Sequence, residues 1–190
     1  MRRRAGRLGA AVAAVAVVAC AQPSSISPAS DPSPEFYLRW SLVGDKGEIV
    51  APGRLTLAGR RMECAGRATV LNPYLDDYAE AFPRFIVLNP TRMRQVSPAV
   101  QWWIYGHECG HEHLGPDEVR ADCFGIEQGV REAWLTPQGL DRICGFIAVG
   151  HPDRAHPAGI DRCRLMRACY AAATMRRDPA SPGAPTAPAR

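Results

Sequence analysis

The sequence predicts one α+β domain, in which a small sheet packs on a pair of helices and a helix-rich second half is stapled by disulfides. Short β-rich runs lie in the first half of the chain, and apolar residues recur at helical spacing from residue 98 onwards. Six cysteines follow an N-terminal segment that has the composition of an export signal. At 190 residues the chain is long enough to form a single hydrophobic core.

Residues 1–21 are predicted to be an export signal, because four arginines precede an apolar run at residues 8–19. The run is shorter than the roughly 20 residues that a transmembrane helix needs. Residues 19–21 fit the small-x-small site of ordinary signal peptidase, whereas residues 17–20 resemble a bacterial lipobox that would leave Cys20 acylated. We therefore expect an exported protein of the bacterial periplasm or cell envelope, attached to the membrane through an acylated Cys20 or otherwise secreted.

Two further segments are predicted to lie outside the folded domain. Residues 22–34 are rich in proline and serine, which is typical of a flexible linker. Residues 178–190 are dominated by proline, alanine and glycine and are predicted to be a disordered tail. The folded domain is therefore predicted to span residues 35–177.

The charge of the mature chain excludes one class of partner. The sequence has 23 Lys+Arg and 19 Asp+Glu, and the predicted signal contains four of the arginines and no acid, which leaves 19 of each sign. No excess positive charge remains to bind phosphate groups, so we expect no nucleic-acid partner.

The segment from residue 35 to residue 90 is predicted to supply the sheet. Three short runs are β-rich, at residues 55–57, 68–71 and 85–88, and Asn89 followed by Pro90 ends the last run. The last run suits two positions. It could lie near the sheet edge, where an extended peptide could add as a further strand, or it could be an ordinary core strand.

Residues 98–114 are predicted to form the helix around which the domain is organised. Ser97 and Pro98 are start signals, and Gly115 followed by Pro116 is a stop signal. One helical face combines apolar residues with two histidines: Val100, Trp103, Ile104, His107, His111 and Leu114. The histidines should therefore point inwards, either as a metal site or as core histidines bonded to backbone carbonyls.

The pattern His107-Glu108-x-x-His111 favours a metal site. Two imidazoles one helical turn apart can share a zinc ion, and the adjacent carboxylate can reach a water bound to it. The alternative of core histidines leaves Glu108 unexplained, because a buried carboxylate without a partner is costly.

A catalytic zinc site needs a third protein ligand. Three acids that follow the helix are the candidates, namely Asp117, Glu118 and Asp122. Glu118 and Asp122 lie one turn apart on a helix, so one could bind the metal while the other hydrogen-bonds a ligand imidazole. Asp117 occupies the position of the third ligand in the metzincin pattern, but Leu114 stands where that pattern has glycine.

The His-Glu-x-x-His motif followed by Glu118-x-x-Ala-Asp122-Cys-Phe-Gly resembles the gluzincin metallopeptidases. It is most similar to the bacterial neutral zinc metallopeptidase family and more distantly to the HtpX-type peptidases. The resemblance implies a zincin-like helical hairpin, with His107, His111 and Glu118 as zinc ligands and Asp122 in support of a histidine. Only six residues separate His111 from Glu118, a shorter gap than is usual in these families, which leaves Glu118 and Asp122 both open as the third ligand.

Two more helices are predicted after the motif, one starting at Thr136-Pro137 and one at residue 158 or 159. His156 and Arg162 resemble the H-P-…-R element that follows the HtpX-type site, and this resemblance implies that His156, or alternatively Arg162, stabilises an oxyanion. His113 is two residues from His111, so we expect it on the surface.

The cysteines are predicted to form disulfides. Besides Cys20 there are six, at positions 64, 109, 123, 144, 163 and 169, and six cysteines in an exported domain suggest three bridges with 15 possible connectivities. Thiolate zinc ligands are the alternative, but no C-x-x-C pair is present.

The function predicted from these features is that of an exported zinc-dependent peptidase, with Glu108 as general base and a peptide or protein as substrate. The alternative is a catalytically silent envelope protein that keeps a zincin-like fold and acts as a binding module. The oligomeric state is left open.

Overall fold

A computed structural model describes residues 33–41, 43–149 and 157–177. The predicted signal with Cys20, the linker up to residue 32, His156 and the predicted tail lie outside the described residues. Within the described part, no helix combines the length and the apolar character needed to cross a bilayer.

The described residues form a mixed α+β domain with a small sheet, which confirms the α+β class of the prediction. The helices are α1 (Pro34–Trp40), α2 (Pro90–Met93), α3 (Pro98–Leu114), α4 (Glu118–Arg131), α5 (Pro137–Ala148) and α6 (Gly159–Arg177). The strands are β1 (Glu48–Val50), β2 (Thr56–Leu57), β3 (Arg60–Arg61), β4 (Ala68–Leu71), β5 (Ala79–Phe82) and β6 (Phe85–Leu88). The three predicted β-runs correspond to β2, β4 and β6.

The main sheet has four strands in the order β1-β4-β6-β5. Strands β4 and β6 are parallel, and the other two pairs are antiparallel. Strand β6 lies between β4 and β5 and all four of its residues are buried, so of the two positions left open for the run at residues 85–88 it takes that of a core strand. A continuous apolar run suits a strand that is covered on both faces. The edge next to the predicted site is formed by β5, which carries the exposed Glu80.

Helix α1 was not predicted. Its N-terminus is capped by Ser33, whose hydroxyl accepts a hydrogen bond from the N–H of Phe36 at 3.1 Å, and Pro34 is its first residue. The helix buries Tyr37 against Phe82 and Phe85 of the sheet. It therefore covers the face of the sheet opposite the larger core.

Helix α3 is the central element of the domain. It begins at Pro98 and ends at Leu114, with Gly115 as its C-cap at φ 79°, in agreement with the predicted bounds. It packs against α4, α5, β5 and β6, and its buried Val100, Trp103 and Ile104 belong to the main hydrophobic core. The helices after it begin where predicted, at Pro137 and Gly159.

Three disulfides staple the domain, as predicted. They join Cys64 to Cys109, Cys123 to Cys169 and Cys144 to Cys163. The first ties α3 to the loop before β4, and the other two tie α6 to α4 and to α5. Three disulfides are typical of an oxidising, exported environment.

Candidate metal centre

Small residues allow α3 and α4 to pack unusually closely. A Cβ atom on Gly110 would lie 2.8 Å from the Cα of Ala121, and one on Gly106 would lie 3.0 Å from the Cα of Gly125. The residue numbers rise along one helix as they fall along the other, so the two helices run in opposite directions. This close approach brings the acidic residues at the start of α4 against the histidines of α3.

Three predicted metal-binding side chains meet at this seam. The Nε2 atoms of His107 and His111 are 3.0 Å apart. The carboxylate of Glu118 lies 3.2 Å from Nε2 of His107 and 3.4 Å from Nε2 of His111. His107 is buried and the other two are partly buried, and together they form a group that could hold a metal ion.

The hydrogen bonds behind the histidines determine their tautomers. Nδ1 of His107 lies 2.9 Å from a carboxylate oxygen of Asp122, and Nδ1 of His111 lies 3.0 Å from the carbonyl oxygen of Gly115. Both oxygens are acceptors, so each Nδ1 must donate its hydrogen. In the neutral ring, each Nε2 is then an acceptor with its lone pair directed into the cluster.

This donor set fits a metal ion. Two imidazole lone pairs and a carboxylate face one another, and such an arrangement of acceptors needs a cation or a proton between them. Two nitrogens bound to a tetrahedral zinc ion at about 2.0–2.1 Å lie about 3.3 Å apart. The observed separation of 3.0 Å is therefore within a few tenths of an ångström of the zinc geometry.

Asp122 lies behind His107 and belongs to a second pair. Its two oxygens accept hydrogen bonds from Nε and Nη2 of Arg162 on α6, each at 2.8 Å. Burial favours the neutral acid, but the hydrogen bonds from Arg162 and His107 outweigh it and lower the pKa of Asp122 from its ordinary 3.8. Asp122 is therefore an anion that orients His107, and Glu118 is the acid that faces the two Nε2 atoms.

The same contacts act on the pKa of His107. Burial disfavours the charged ring, but the hydrogen bonds to Asp122 and Glu118 outweigh this effect and raise the pKa of His107 from 6.5 to about 9. The cluster without metal therefore retains a proton at neutral pH. A metal ion would have to displace that proton.

Glu108 lies on the other side of the cluster, next to the edge strand. Its carboxylate accepts a hydrogen bond from the backbone N–H of Ala81 on β5. Burial raises the pKa of Glu108, and the nearby histidines only partly offset this. One turn later, Glu112 accepts from the N–H of Arg84 at 3.0 Å, so two glutamates of α3 tie the β5–β6 hairpin to the site.

The backbone of β5 is turned towards the site. The N–H of Asn89 donates to the carbonyl of Tyr78 at 2.9 Å. Hydrogen-bonded pairs alternate along an antiparallel ladder, so the residues at even positions of β5 are those whose backbone groups bond to β6. The backbone groups of Ala79 and Ala81 therefore point away from β6. The contact between Ala81 and Glu108 agrees with this register.

Two cavities meet at the cluster. The larger, of about 730 Å³, is lined by β5 and by all three predicted ligands. The smaller, of about 420 Å³, lies on the side of α5 and the start of α6. His107, Glu108, Asp77 and Ala79 line both, so together the cavities form a cleft that passes the cluster.

The remaining predicted residues lie elsewhere. Asp117 caps α4, with its carboxylate accepting from the N–H of Arg120 at 3.0 Å, and it does not join the cluster. His113 is exposed, as predicted, and although it lies near Cys64 and Cys109, those two sulfurs are joined in a disulfide. His156 lies outside the described residues, so its oxyanion role stays a prediction.

Sequence reasoning missed the small-residue seam and the edge strand. Gly106 and Gly110 lie one turn apart on α3, as do Ala121 and Gly125 on α4, and this spacing was a signal that two helices could approach closely. The Ala-Glu-Ala-Phe sequence of β5 alternates too briefly to stand out as a strand.

No protein-family model, no curated protein and no solved structure matches this chain.

Proposed function

We propose that this protein is an exported zinc-dependent peptidase, similar in its site to the gluzincin metallopeptidases. One observation carries the proposal. Two imidazole Nε2 atoms and a carboxylate converge within 3.0–3.4 Å beside a second carboxylate, that of Glu108, which contacts an edge strand. A purely structural metal site has no use for Glu108 in that position.

His107, His111 and Glu118 would hold the metal. Three protein ligands that leave one position for water are typical of catalytic zinc sites, whereas structural sites use four. A zinc ion bound there supplies a Lewis acid that lowers the pKa of water to about 7 and polarises a carbonyl group. Asp122 and Arg162 keep the ring of His107 in the tautomer that offers Nε2.

Glu108 would be the general base. Its raised pKa brings it closer to neutrality, which suits a group that accepts a proton from water and later returns it to a leaving amine. It is also the carboxylate next to β5, so it lies between the predicted ligands and any chain that pairs with that strand.

Strand β5 would position the substrate. An extended peptide can add to an exposed sheet edge through main-chain hydrogen bonds, which are independent of side-chain sequence. The backbone groups of Ala79 and the carbonyl of Ala81 point to that edge, while the N–H of Ala81 donates to Glu108. A zincin-like arrangement of α3, α4 and this edge strand follows from the proposal.

The proposed location is the bacterial periplasm or cell envelope, with the protein attached through an acylated Cys20 or secreted. The three disulfides support export. The lipid anchor rests on the lipobox-like residues alone.

The first test is metal content, measured by mass spectrometry on purified mature protein. About one zinc per chain is expected, as for a single site, and Glu118→Ala should lose it. Glu127→Ala is the matched control, because it removes an exposed glutamate of the same helix and should retain zinc. If Asp122→Ala loses zinc while Glu118→Ala retains it, the third ligand is Asp122 and not Glu118. A wild type that takes up no added zinc would refute the metal site.

The second test separates an enzyme from a binding module. Glu108→Gln should keep its zinc and lose most cleavage of a peptide library, since general-base catalysis contributes about 10²–10⁴-fold. A zinc-loaded wild type that cleaves nothing, and a variant indistinguishable from it, would favour the catalytically silent alternative.

A further inference from the structure

Disulfide cysteines directly follow both members of the ion pair that lies behind the cluster. Asp122 precedes Cys123 on α4, and Arg162 precedes Cys163 on α6. Cys163 is bridged to Cys144 of α5, while Cys123 is bridged to a later residue of α6. Each side chain of the ion pair therefore lies next to a covalent link between two helices.

Helix α6 has little apolar surface in the core. Only three of its 19 residues are buried, namely Gly159, Met166 and Ala173, whereas five of the 12 residues of α5 are buried. One of the three is a glycine, which has no side chain to bury. Because apolar burial stabilises in proportion to the area removed from water, α6 depends more than α5 on other attachments.

Two ion pairs that join α6 to its neighbours are exposed. Arg176 pairs with Glu127 of α4 at 2.9 Å, and Arg167 pairs with Asp141 of α5 at 2.7 Å. Each of these four side chains has at least 42% of its surface exposed, and exposed pairs contribute little to stability. The disulfides to α4 and α5 are therefore the strongest restraints on α6 among the described contacts.

Of the two disulfides, Cys144–Cys163 is the closer in sequence to Arg162. Arg162 lies in the first turn of α6, and Cys163 is the next residue. Cys169, which is bridged to α4, follows Arg162 by seven residues, which corresponds to about two turns or about 10 Å along the helix axis. The link to α5 therefore restrains the turn that carries the guanidinium, and the link to α4 restrains a later part of the helix.

The backbone of this first turn also packs closely on the end of α5. A Cβ atom on Gly159 would overlap the carbonyl oxygen of Ile147 and would lie 3.0 Å from the Cα of Ala148. Such a contact leaves the turn little room to move towards α5. Its position is therefore set by α5, through one close backbone contact and one disulfide.

We propose that the Cys144–Cys163 disulfide is a redox-sensitive support of the metal centre. It holds Arg162 where two of its guanidinium nitrogens donate to Asp122, and Asp122 in turn accepts from Nδ1 of His107. Loss of the disulfide releases the first turn of α6, so the orientation of His107 is held less firmly and zinc binds more weakly. The inference rests on the proposed metal site and adds its regulation.

The redox step is an ordinary thiol–disulfide exchange. A dithiol reductant breaks the S–S bond, each cysteine sulfur leaves as a protonated thiol, and the reductant is oxidised to its own disulfide. Dithiol systems keep cysteines reduced in the cytosol, whereas disulfides persist in exported proteins. The site therefore reaches its full zinc affinity only after export, and the proposed peptidase is held below full metal occupancy before it.

The experiment measures zinc affinity by chelator competition on purified mature protein with its disulfides formed. Cys144→Ala/Cys163→Ala should lower the affinity by about tenfold, the lower end of the effect of losing an outer hydrogen-bond partner of a metal ligand. Cys123→Ala/Cys169→Ala is the matched control, because it removes one disulfide from the same helix at a distance from Arg162. No fall in the first variant, or an equal fall in both, would overturn the inference.

Unfolding in urea shows that this comparison does not simply follow stability. The control disulfide closes a longer loop, with a sequence separation of 46 against 19, so its removal should lower the urea midpoint at least as much. Zinc affinity should nevertheless fall more when the shorter loop is opened. Zinc affinities that rank in the order of the urea midpoints would mean that the disulfide acts only through general stability.

A double-mutant cycle with Arg162→Met tests the route through the arginine. Removal of the Cys144–Cys163 disulfide should weaken zinc binding in the wild-type background and have little further effect in the Arg162→Met background, because the group it positions is absent. A general loss of stability would cost the same factor in both backgrounds. Arg162→Lys keeps the charge without the planar pair of donors, so its affinity should lie between those of wild type and Arg162→Met.

Gly159→Ala tests the same position of α6 with the disulfide intact, so the inference stays testable if the cysteine variant does not fold. The added Cβ must displace the first turn from α5, and zinc affinity should fall. Gly145→Ala is its control, because a Cβ atom there would have no neighbour within 4 Å. Unchanged affinity in Gly159→Ala would show that the placement of this turn does not affect the metal site.

A measurement on zinc-stripped protein keeps the inference distinct from the proposed function. The Nδ1 proton of His107, which is bonded to Asp122, should exchange slowly with water by NMR in the wild type and faster without the Cys144–Cys163 disulfide. If no variant binds zinc but the exchange rate depends on the disulfide, the metal site fails and the support stands. If all variants bind zinc equally and the exchange rates agree, the support fails and the metal site stands.

Discussion

The two histidines of the cluster are oriented by different means. His107 is buried and donates to the side chain of Asp122, which is itself bonded to Arg162 on another helix. His111 is partly exposed and donates to the backbone carbonyl of Gly115, four residues later in the chain.

One histidine is oriented by local structure and the other by tertiary packing. The orientation of His111 is set within one helix end, because Gly115 also caps α3 by donating its N–H to the carbonyl of His111 at 3.0 Å. Its φ of 79° is a conformation that favours glycine. The orientation of His107 depends on three helices being correctly packed. We therefore expect His107 to be the more sensitive to mutation, and the following predictions test this.

Gly110→Ala should disrupt the cluster most. A Cβ atom there would meet the backbone of Ala121 at 2.8 Å, so α4 must move and carry both Glu118 and Asp122 away from α3. We expect loss of bound zinc and destabilisation by about 1–3 kcal/mol, as for other overpacked sites. Zinc content and urea unfolding measure the two effects.

Gly145→Ala is the matched control for that substitution. Gly145 lies on the exposed face of α5, and a Cβ atom there would have no neighbour within 4 Å. It should retain zinc and gain up to about 1 kcal/mol from helix propensity. Retention of zinc by Gly110→Ala would show that the close packing of α3 against α4 does not position the ligands.

Asp122→Asn tests the tertiary support of His107 directly. Without the carboxylate, His107 loses its anionic acceptor, and zinc affinity should fall about 10–100-fold. Arg162, with only 11% of its side chain exposed, would lose its charged contact with Asp122, so the free energy of unfolding should also fall, by about 1.5–3 kcal/mol as for lost charge-assisted hydrogen bonds. Chelator competition and urea unfolding are the measurements.

Asp141→Asn provides the comparison for Asp122→Asn. Asp141 is also bonded to an arginine, Arg167 at 2.7 Å, but that pair is exposed and distant from the cluster. We expect unchanged zinc affinity and a stability change below about 1 kcal/mol. Equal zinc affinities for Asp122→Asn and wild type would mean that His107 is oriented without its carboxylate.

The distinction between local structure and tertiary packing also explains which features could be predicted from the sequence. The bounds of α3 agree with the local signals at Pro98 and Gly115, whereas Ser97 occupies the N-cap position without a side-chain capping hydrogen bond. The spacing of His107 and His111 on that helix is likewise local. Their convergence with Glu118 was predicted only through family resemblance and remained open against Asp122.

Features that depend on distant pairing were not predicted. The position of β5 at the sheet edge follows from its pairing with β6 and from the parallel contact between β6 and β4. The bond between Arg162 and Asp122 joins residues 40 positions apart, and the cysteine pairs span separations of 19 to 46. No local periodicity encodes such contacts, so the connectivity of the disulfides stayed open among 15 possibilities.

The last effect we predict is a pH dependence that distinguishes the metal-free from the zinc-loaded protein. The pKa of His107 is about 9 in the folded metal-free chain and 6.5 in the reference state, so its stabilising contribution is fully present below pH 6.5 and is lost as the pH rises through 9. Urea unfolding of zinc-stripped protein should therefore show a decline over this interval, of at most about 3 kcal/mol.

Zinc affinity should change in the opposite direction, rising over the same interval, because the proton must leave the cluster before the metal binds. Asp122→Asn removes one of the hydrogen bonds that raise the pKa of His107, so its stability should depend less on pH than that of the wild type. A zinc-stripped wild type with constant stability between pH 6.5 and 9 would contradict the raised pKa. It would also show that the carboxylates of α4 do not stabilise a charged His107 and orient it only by geometry.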